Sequence, residues 1–249
     1  MRIDTAMILA GGLGTRFKEY TKDIPKPMIE ANGIPLLVHI INFYESQGVE
    51  KIFILAGYKK EIIYKYFETH GSRISSDENV YTFSKDLTIH VLDTGDNTLT
   101  AGRIKKGLEY INGELTFLTY GDGLSNVNLK NLYKFHIEHN PIVTLTAVRP
   151  PARFGSLEMK NEKVVAFNEK KYSNEGWING GFFILNKSVN EYIEGDNQSF
   201  EKEPLSKIAS ENKLIAYKHE GLFRPVDTIR ELEILEAELK ANEFGFDYE

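Results

Sequence analysis

Apolar positions fall into two rhythms along this chain. Short runs in which nearly every residue is apolar or β-branched, at Thr5–Ala10, Lys51–Ala56, Thr88–Asp93, Thr116–Tyr120 and Val143–Val148, read as strands. Between them, Leu36–Gln47, Lys60–Tyr66, Gly102–Tyr110 and Leu129–His139 repeat apolar residues at helical spacing. Such alternation predicts βαβ units around a mostly parallel sheet, with ligands bound outside the carboxyl ends of the strands. Further strands are expected at Lys163–Phe167, Phe182–Leu185 and Leu214–Lys218, with helices at Pro204–Glu211 and Ile229–Asn242. The second half is therefore expected to form a small antiparallel extension over the crevice. The polar stretch Gly71–Asn79 reads as a mobile loop. No linker, repeat or low-complexity tract divides the chain, so one domain spanning 1–249 is expected.

Composition narrows the partners. A chain of 249 residues is long enough for one sizeable core. The net charge of −6 argues against a protein that coats nucleic acid, which ordinarily carries a basic face. Cysteine is absent, which excludes disulfides, thiolate metal sites and a cysteine nucleophile. The start, Met1-Arg2-Ile3-Asp4, lacks a signal-peptide pattern, and no apolar run approaches the roughly 18 residues of a membrane span. A cytoplasmic protein without membrane contact is expected.

The candidate chemistry begins where the first apolar run breaks into Gly11-Gly12-Leu13-Gly14, followed by Thr15-Arg16 and then Pro25-Lys26-Pro27-Met28. Glycine tolerates positive φ and close backbone approach, and exposed N–H groups in such a loop cradle anions. Arg16 adds a bidentate phosphate donor. A Walker loop would need Gly-Lys-Ser/Thr, and a dinucleotide fingerprint would need G-x-G-x-x-G; neither is present. A plain surface turn needs neither Thr-Arg nor Pro-Lys-Pro, so the loop reads as a polyphosphate site with a nucleoside attached. Pro25 and Pro27 fix the backbone around Lys26 and aim its side chain. Asp122, at a strand's carboxyl end between two glycines, is placed to hold Mg²⁺ through oxygen, although a simple turn aspartate has the same local sequence. Asp227, just before the last helix, is in its own right an N-cap candidate.

Leu-Ala-Gly-Gly-x-Gly-Thr-Arg with Pro-Lys-Pro-Met resembles the signature of the sugar-phosphate nucleotidyltransferases. Val91-Leu92-Asp93-Thr94-Gly95-Asp96, Thr100-Ala101-Gly102-Arg103, Tyr120-Gly121-Asp122-Gly123, Arg153-Phe154-Gly155, Ile178–Phe183 and Pro225-Val226-Asp227-Thr228 are similar to the glucose-1-phosphate cytidylyltransferase branch. The resemblance runs from near Met1 to about Ala241. It implies a single-domain, Rossmann-like α/β fold, with a nucleotide-binding half at about 1–140 and an acceptor-binding half at about 141–249.

It also implies transfer of CMP from CTP to a phosphorylated acceptor, first of all α-D-glucose 1-phosphate. The products would be pyrophosphate and CDP-glucose, the latter serving deoxysugar synthesis for surface polysaccharide such as lipopolysaccharide O-antigen or capsule. Asp122 and Asp227 then hold Mg²⁺, Arg16 the β- and γ-phosphates, and Lys26 the α-phosphate and the acceptor phosphate. Leu9, Ala10, Gly11, Gly12 and Leu13 meet the base and ribose; Gly14 and Thr15 serve the phosphates; Thr98, Arg103 and Gly121 touch the nucleotide. Glu169 and Lys170 bind the acceptor, the lysine through its phosphate, and Asn179 and Gly180 bind the sugar hydroxyls. Lys171 stands where the family has proline, which leaves phosphoglutamine, phosphocholine or another sugar 1-phosphate open as acceptor. UTP, dTTP or GTP remain alternatives to CTP. A non-catalytic sensor is disfavoured by the presence of Arg16, Lys26 and both aspartates. A homo-oligomer is expected. No histidine needs a catalytic role, because a phosphate monoester is already nucleophilic at neutral pH.

Overall fold

The computed structural model describes residues 3–14, 23–74, 79–150, 156–168 and 176–245. Among these, ten strands share one sheet: β1 (Thr5–Ala10), β2 (Lys51–Ala56), β3 (Ser72–Arg73), β4 (Val80–Thr82), β5 (Thr88–Asp93), β6 (Leu115–Tyr120), β7 (Val143–Val148), β8 (Ile178–Asn179), β9 (Phe183–Asn186) and β10 (Leu214–His219). Among the described residues six α-helices accompany them: α1 (Leu36–Ser46), α2 (Lys60–His70), α3 (Thr100–Leu108), α4 (Leu129–His139), α5 (Glu203–Ser210) and α6 (Ile229–Lys240).

β6, β1, β2 and β5 lie side by side and parallel. All six residues of β1 are buried, as expected of a strand covered on both faces. Its side chains alternate between two cores: Ala6, Ile8 and Ala10 join α1 through Leu37, Ile40 and Tyr44, whereas Met7 and Leu9 join Ile104 and Leu108 of α3 on the other face. From β1 the chain moves outward to β2 and β5 and then returns to β6 on the opposite side. The strand order thus reverses between β1 and β6, and that is where an open α/β sheet leaves a crevice.

The second half continues the same sheet. β9 pairs antiparallel with β6 and β7, and β8 pairs antiparallel with the far end of β7, so Ile178–Asn186 acts as one strand broken at Gly180-Gly181-Phe182. β10 departs from the expected antiparallel extension: it runs parallel to β7 over six residue pairs. The helical connection through α5 allows this, since a parallel partner needs a crossover rather than a hairpin. Of the stretch Gly71–Asn79, residues 75–78 lie outside the described residues; at its flanks β3 pairs antiparallel with β4, and Ile74 N–H donates to the Val80 carbonyl at 2.9 Å. α2 runs one turn beyond the expected Tyr66, since Phe67 buries on the same face as Ile63. None of the helices in the described residues is long and apolar enough to cross a membrane.

Candidate active site

A cleft of about 590 Å³ opens at the carboxyl ends of β1 and β6, lined among others by Gly11, Gly12, Thr98, Asp122, Asn179 and Asp227. The loop after β1 forms its floor. Gly12 faces open space, so its backbone is accessible to a ligand. Gly14 adopts φ 60°, a left-handed conformation that favours glycine. Gly11 is glycine for another reason: a Cβ there would sit 2.2 Å from the Arg103 guanidinium carbon.

Arg103 projects from the first turn of α3 and is only 3% exposed. Its guanidinium donates to the carbonyls of Gly11 (2.8 Å), Ala56 (3.1 Å) and Gly95 (2.8 Å) and to the Thr94 hydroxyl (2.5 Å). Burial pushes its pKa down from the ordinary value, while Asp96 and Asp93 oppose that shift. Arg103 therefore ties the glycine loop to the ends of β2 and β5; the geometry makes it a positioning residue for the cleft wall. Thr98 is likewise held within the protein, its hydroxyl donating to Asp196 at 3.3 Å and accepting from Lys106 at 3.3 Å. The Lys106 ammonium, 2.7 Å from Asp196, holds that carboxyl below the usual carboxylate range.

Lys26 stands opposite. Pro25 and the short 3₁₀ turn Lys26–Met28 hold its backbone, with Met28 N–H donating to the Pro25 carbonyl at 2.8 Å. Its Nζ lies 2.6 Å from Asp122 Oδ2 and 2.6 Å from Asp227 Oδ1. The two aspartates, remote in sequence, meet because Gly123–Ser125 pairs antiparallel with Phe223–Pro225, and Val226 N–H donates to the Asp122 carbonyl at 2.9 Å. The N-cap alternative for Asp227 falls away: the cap of α6 is Thr228, whose hydroxyl accepts from Glu231 N–H. Asp122 and Asp227 thus aim two carboxylates at one cation. No third histidine, cysteine or acidic side chain joins them among the described residues. An oxygen-only pair with room for phosphate oxygens and water fits Mg²⁺, which prefers that donor set.

The far wall of the cleft holds Asn179 and Gly180, the latter packed so tightly on Val148 that a Cβ would meet it at 2.7 Å. Asn179 Nδ2 donates to the Tyr120 hydroxyl at 3.3 Å, and Tyr120 donates to Glu201 Oε1 at 2.8 Å. Burial, reinforced by Glu201, pushes the Tyr120 phenol well up, so it stays protonated as a donor. Sequence reading missed Glu201. It arrives through the connection before α5, which docks on the start of α3: Leu99 N–H donates to the Asp196 carbonyl at 2.7 Å, and Ala101 N–H to that of Gln198 at 3.1 Å. No local pattern announces that contact. Of the residues expected in the site, Leu9, Ala10, Gly11, Gly12, Gly14, Lys26, Thr98, Arg103, Gly121, Asp122, Asn179, Gly180 and Asp227 line this one cleft. Leu13 is exposed beside it. Thr15, Arg16, Glu169 and Lys170 lie outside the described residues.

The chain is similar to known proteins over most of its length. The model of the nucleotidyl transferase family matches residues 5–223. The chain is 40% identical over 242 residues to the glucose-1-phosphate cytidylyltransferase of Salmonella typhimurium, covering 93% of this chain and 94% of that protein. It is 41% identical over 236 residues to the probable glucose-1-phosphate cytidylyltransferase of Bacillus subtilis, covering 91% and 92%. Among solved structures, HddC from Yersinia pseudotuberculosis superposes with a TM-score of 0.73 at 25% identity, over 95% of this chain and 100% of that one. The resemblance read from the sequence motifs is borne out, as is the mixed, mostly parallel α/β fold.

Proposed function

The chain belongs to the nucleotidyl transferase family, and from that premise we propose that it transfers CMP from CTP to a sugar 1-phosphate, first of all α-D-glucose 1-phosphate, yielding CDP-glucose and pyrophosphate. The observation that carries the chemistry is the Lys26 ammonium held at 2.6 Å from each of two carboxylates beside the glycine loop. Support for cytosine and glucose comes from the cytidylyltransferase relatives in Salmonella typhimurium and Bacillus subtilis. A supply of CDP-glucose for surface-polysaccharide deoxysugars follows from the same reading.

In this reaction an oxygen of the acceptor phosphate attacks the α-phosphorus. The bond from that phosphorus to the β-phosphate oxygen breaks, and the electron pair leaves with pyrophosphate. No proton transfer is needed, so the protein's contribution is alignment and neutralisation of negative charge. The backbone of Gly11, Gly12 and Gly14 receives the nucleotide. Lys26 meets the phosphates as they crowd together, and Arg16 holds the leaving pyrophosphate. Asp122 and Asp227 would hold Mg²⁺, which when bound offsets the charge of the triphosphate. Asn179 and Lys170 serve the acceptor.

The test is pyrophosphate release with each nucleoside triphosphate, Mg²⁺ and a panel of phosphorylated acceptors. Release that requires CTP and glucose 1-phosphate together upholds the reading. Preference for phosphocholine or phosphoglutamine over glucose 1-phosphate, with CTP saturating, overturns the acceptor while leaving the cytidylyltransferase in place.

A further inference from the structure

Glu201 occupies an unusual position for a carboxylate: it opens onto the cleft, yet both of its oxygens are pinned by hydroxyl donors. Oε1 accepts from the Tyr120 hydroxyl at 2.8 Å, and Oε2 accepts from the Thr100 hydroxyl at 2.7 Å. Thr100 is itself oriented, because its Oγ1 accepts from Phe200 N–H at 2.8 Å. Tyr120 in turn accepts from Asn179 at 3.3 Å, which links Glu201 to the far wall of the cleft. Each carboxylate oxygen can accept a second hydrogen bond. The rotamer freedom that binding would ordinarily remove is therefore lost before the ligand arrives.

We propose that Glu201 is the specificity residue for the acceptor, its carboxylate accepting hydrogen bonds from hydroxyls of the sugar. The inference rests on the sugar-1-phosphate reading given above and deepens it. Two oxygens in one plane match a vicinal diol, and an ionised acceptor makes hydrogen bonds stronger than neutral ones. The same charge repels an anionic group at that end of the acceptor, so neutral sugars are favoured over uronic acid 1-phosphates. Tyr120 and Thr100 act as positioning residues, because they hold the carboxylate.

The experiment uses the whole enzyme with the variants Glu201→Ala and Glu201→Gln. Steady-state constants are measured for CTP, glucose 1-phosphate, its four monodeoxy analogues (2-, 3-, 4- and 6-) and glucuronic acid 1-phosphate. Glu201→Ala should raise the acceptor KM about 10- to 100-fold, the size of a lost hydrogen bond to a charged group, while the CTP KM moves less than about twofold. At least one deoxy analogue that is poor for the wild type should lose no further efficiency in the variant. Glu201→Gln keeps the side chain's shape and hydrogen bonding to Tyr120, and should narrow the preference for glucose over glucuronic acid 1-phosphate. An unchanged acceptor KM in both variants, or a selectivity unaltered in Glu201→Gln, overturns the inference. A rise confined to the CTP KM and abolished with 2′- or 3′-deoxy-CTP also overturns it, by assigning Glu201 to ribose. A wild type inert on every hexose 1-phosphate brings down the parent reading, and that result is read without any variant.

Discussion

The expected chemistry of Lys26 depends on what it touches. In this structure its ammonium neutralises two carboxylates; in the proposed reaction the phosphates would compete for the same charge. Its contribution should therefore be largest where negative charge is densest, at the transition state. Lys26→Ala should lower kcat by about 10²-fold or more with a smaller change in the CTP KM, and a raised KM with intact kcat would make Lys26 a binding contact only. Asp122→Asn and Asp227→Asn should each cut turnover by about 10²-fold or more and weaken Mg²⁺ dependence; near-normal activity would remove that aspartate from the proposed metal site. Gly11 shows how far a single atom reaches. A methyl at Gly11 meets the Arg103 guanidinium, which cannot retreat without releasing the carbonyls of Ala56 and Gly95. Pro-Lys-Pro and the glycines are legible in the sequence because their constraint is local, whereas nothing local shows that Arg103 packs on Gly11.

Between elements, the site depends on how the last helix is fastened. Arg224, the central residue of the Phe223–Pro225 strand whose pairing unites Asp122 with Asp227, donates from Nε and one terminal nitrogen to both oxygens of Glu238 on α6, at 2.9 and 2.6 Å. Both residues are buried. Removing one charge from such a pair leaves the other facing a low dielectric, so Glu238→Gln should cost about 3–5 kcal/mol in denaturant unfolding. An unaltered midpoint would show that the pair adds no net stability. A second link joins α4 to β7, where His136 Nδ1 lies 2.8 Å from the Thr144 hydroxyl. Burial lowers the His136 pKa from 6.5 to about 4. The unfolded chain therefore takes up a proton that the folded chain resists. Stability should be full above about pH 6.5, fall by about 3 kcal/mol towards pH 4, and level off below it. Burial shifts His39 and His219 the same way, so they add to the acid sensitivity. His136→Phe should flatten that slope in urea melts followed between pH 4 and 7, and an unchanged slope would assign it elsewhere.

For the whole molecule, the reversal of strand order between β1 and β6 sets the cleft, and both halves of the chain supply its walls. Base choice belongs to this scale, because the cleft is bounded by backbone after β1 on one side and by the start of α3 with Ser199 and Glu201 on the other. The ratio of kcat/KM for CTP over UTP should be at least about tenfold, the range of one good polar discrimination between similar ligands. Equal values would refute cytidine specificity and leave nucleotidyl transfer intact.

The strands β1, β2, β5 and β7, the helix α4, the glycine loop and the family itself were readable in the amino-acid order. Hydrophobic period, turn residues and tight phosphate-binding motifs are short-range signals, each complete within a dozen residues or so. The resemblance also paired Asp122 with Asp227 as holders of one Mg²⁺. Only the tertiary structure shows both carboxylates on the Lys26 ammonium, because their meeting depends on the register of Gly123–Ser125 against Phe223–Pro225. It likewise decided that β10 runs parallel to β7, that Arg103 braces the glycine loop, and that Glu201 reaches Tyr120 and Thr100. Such contacts are set by which faces pack and which registers match across the fold, and residues far apart in the chain carry no local pattern that records them.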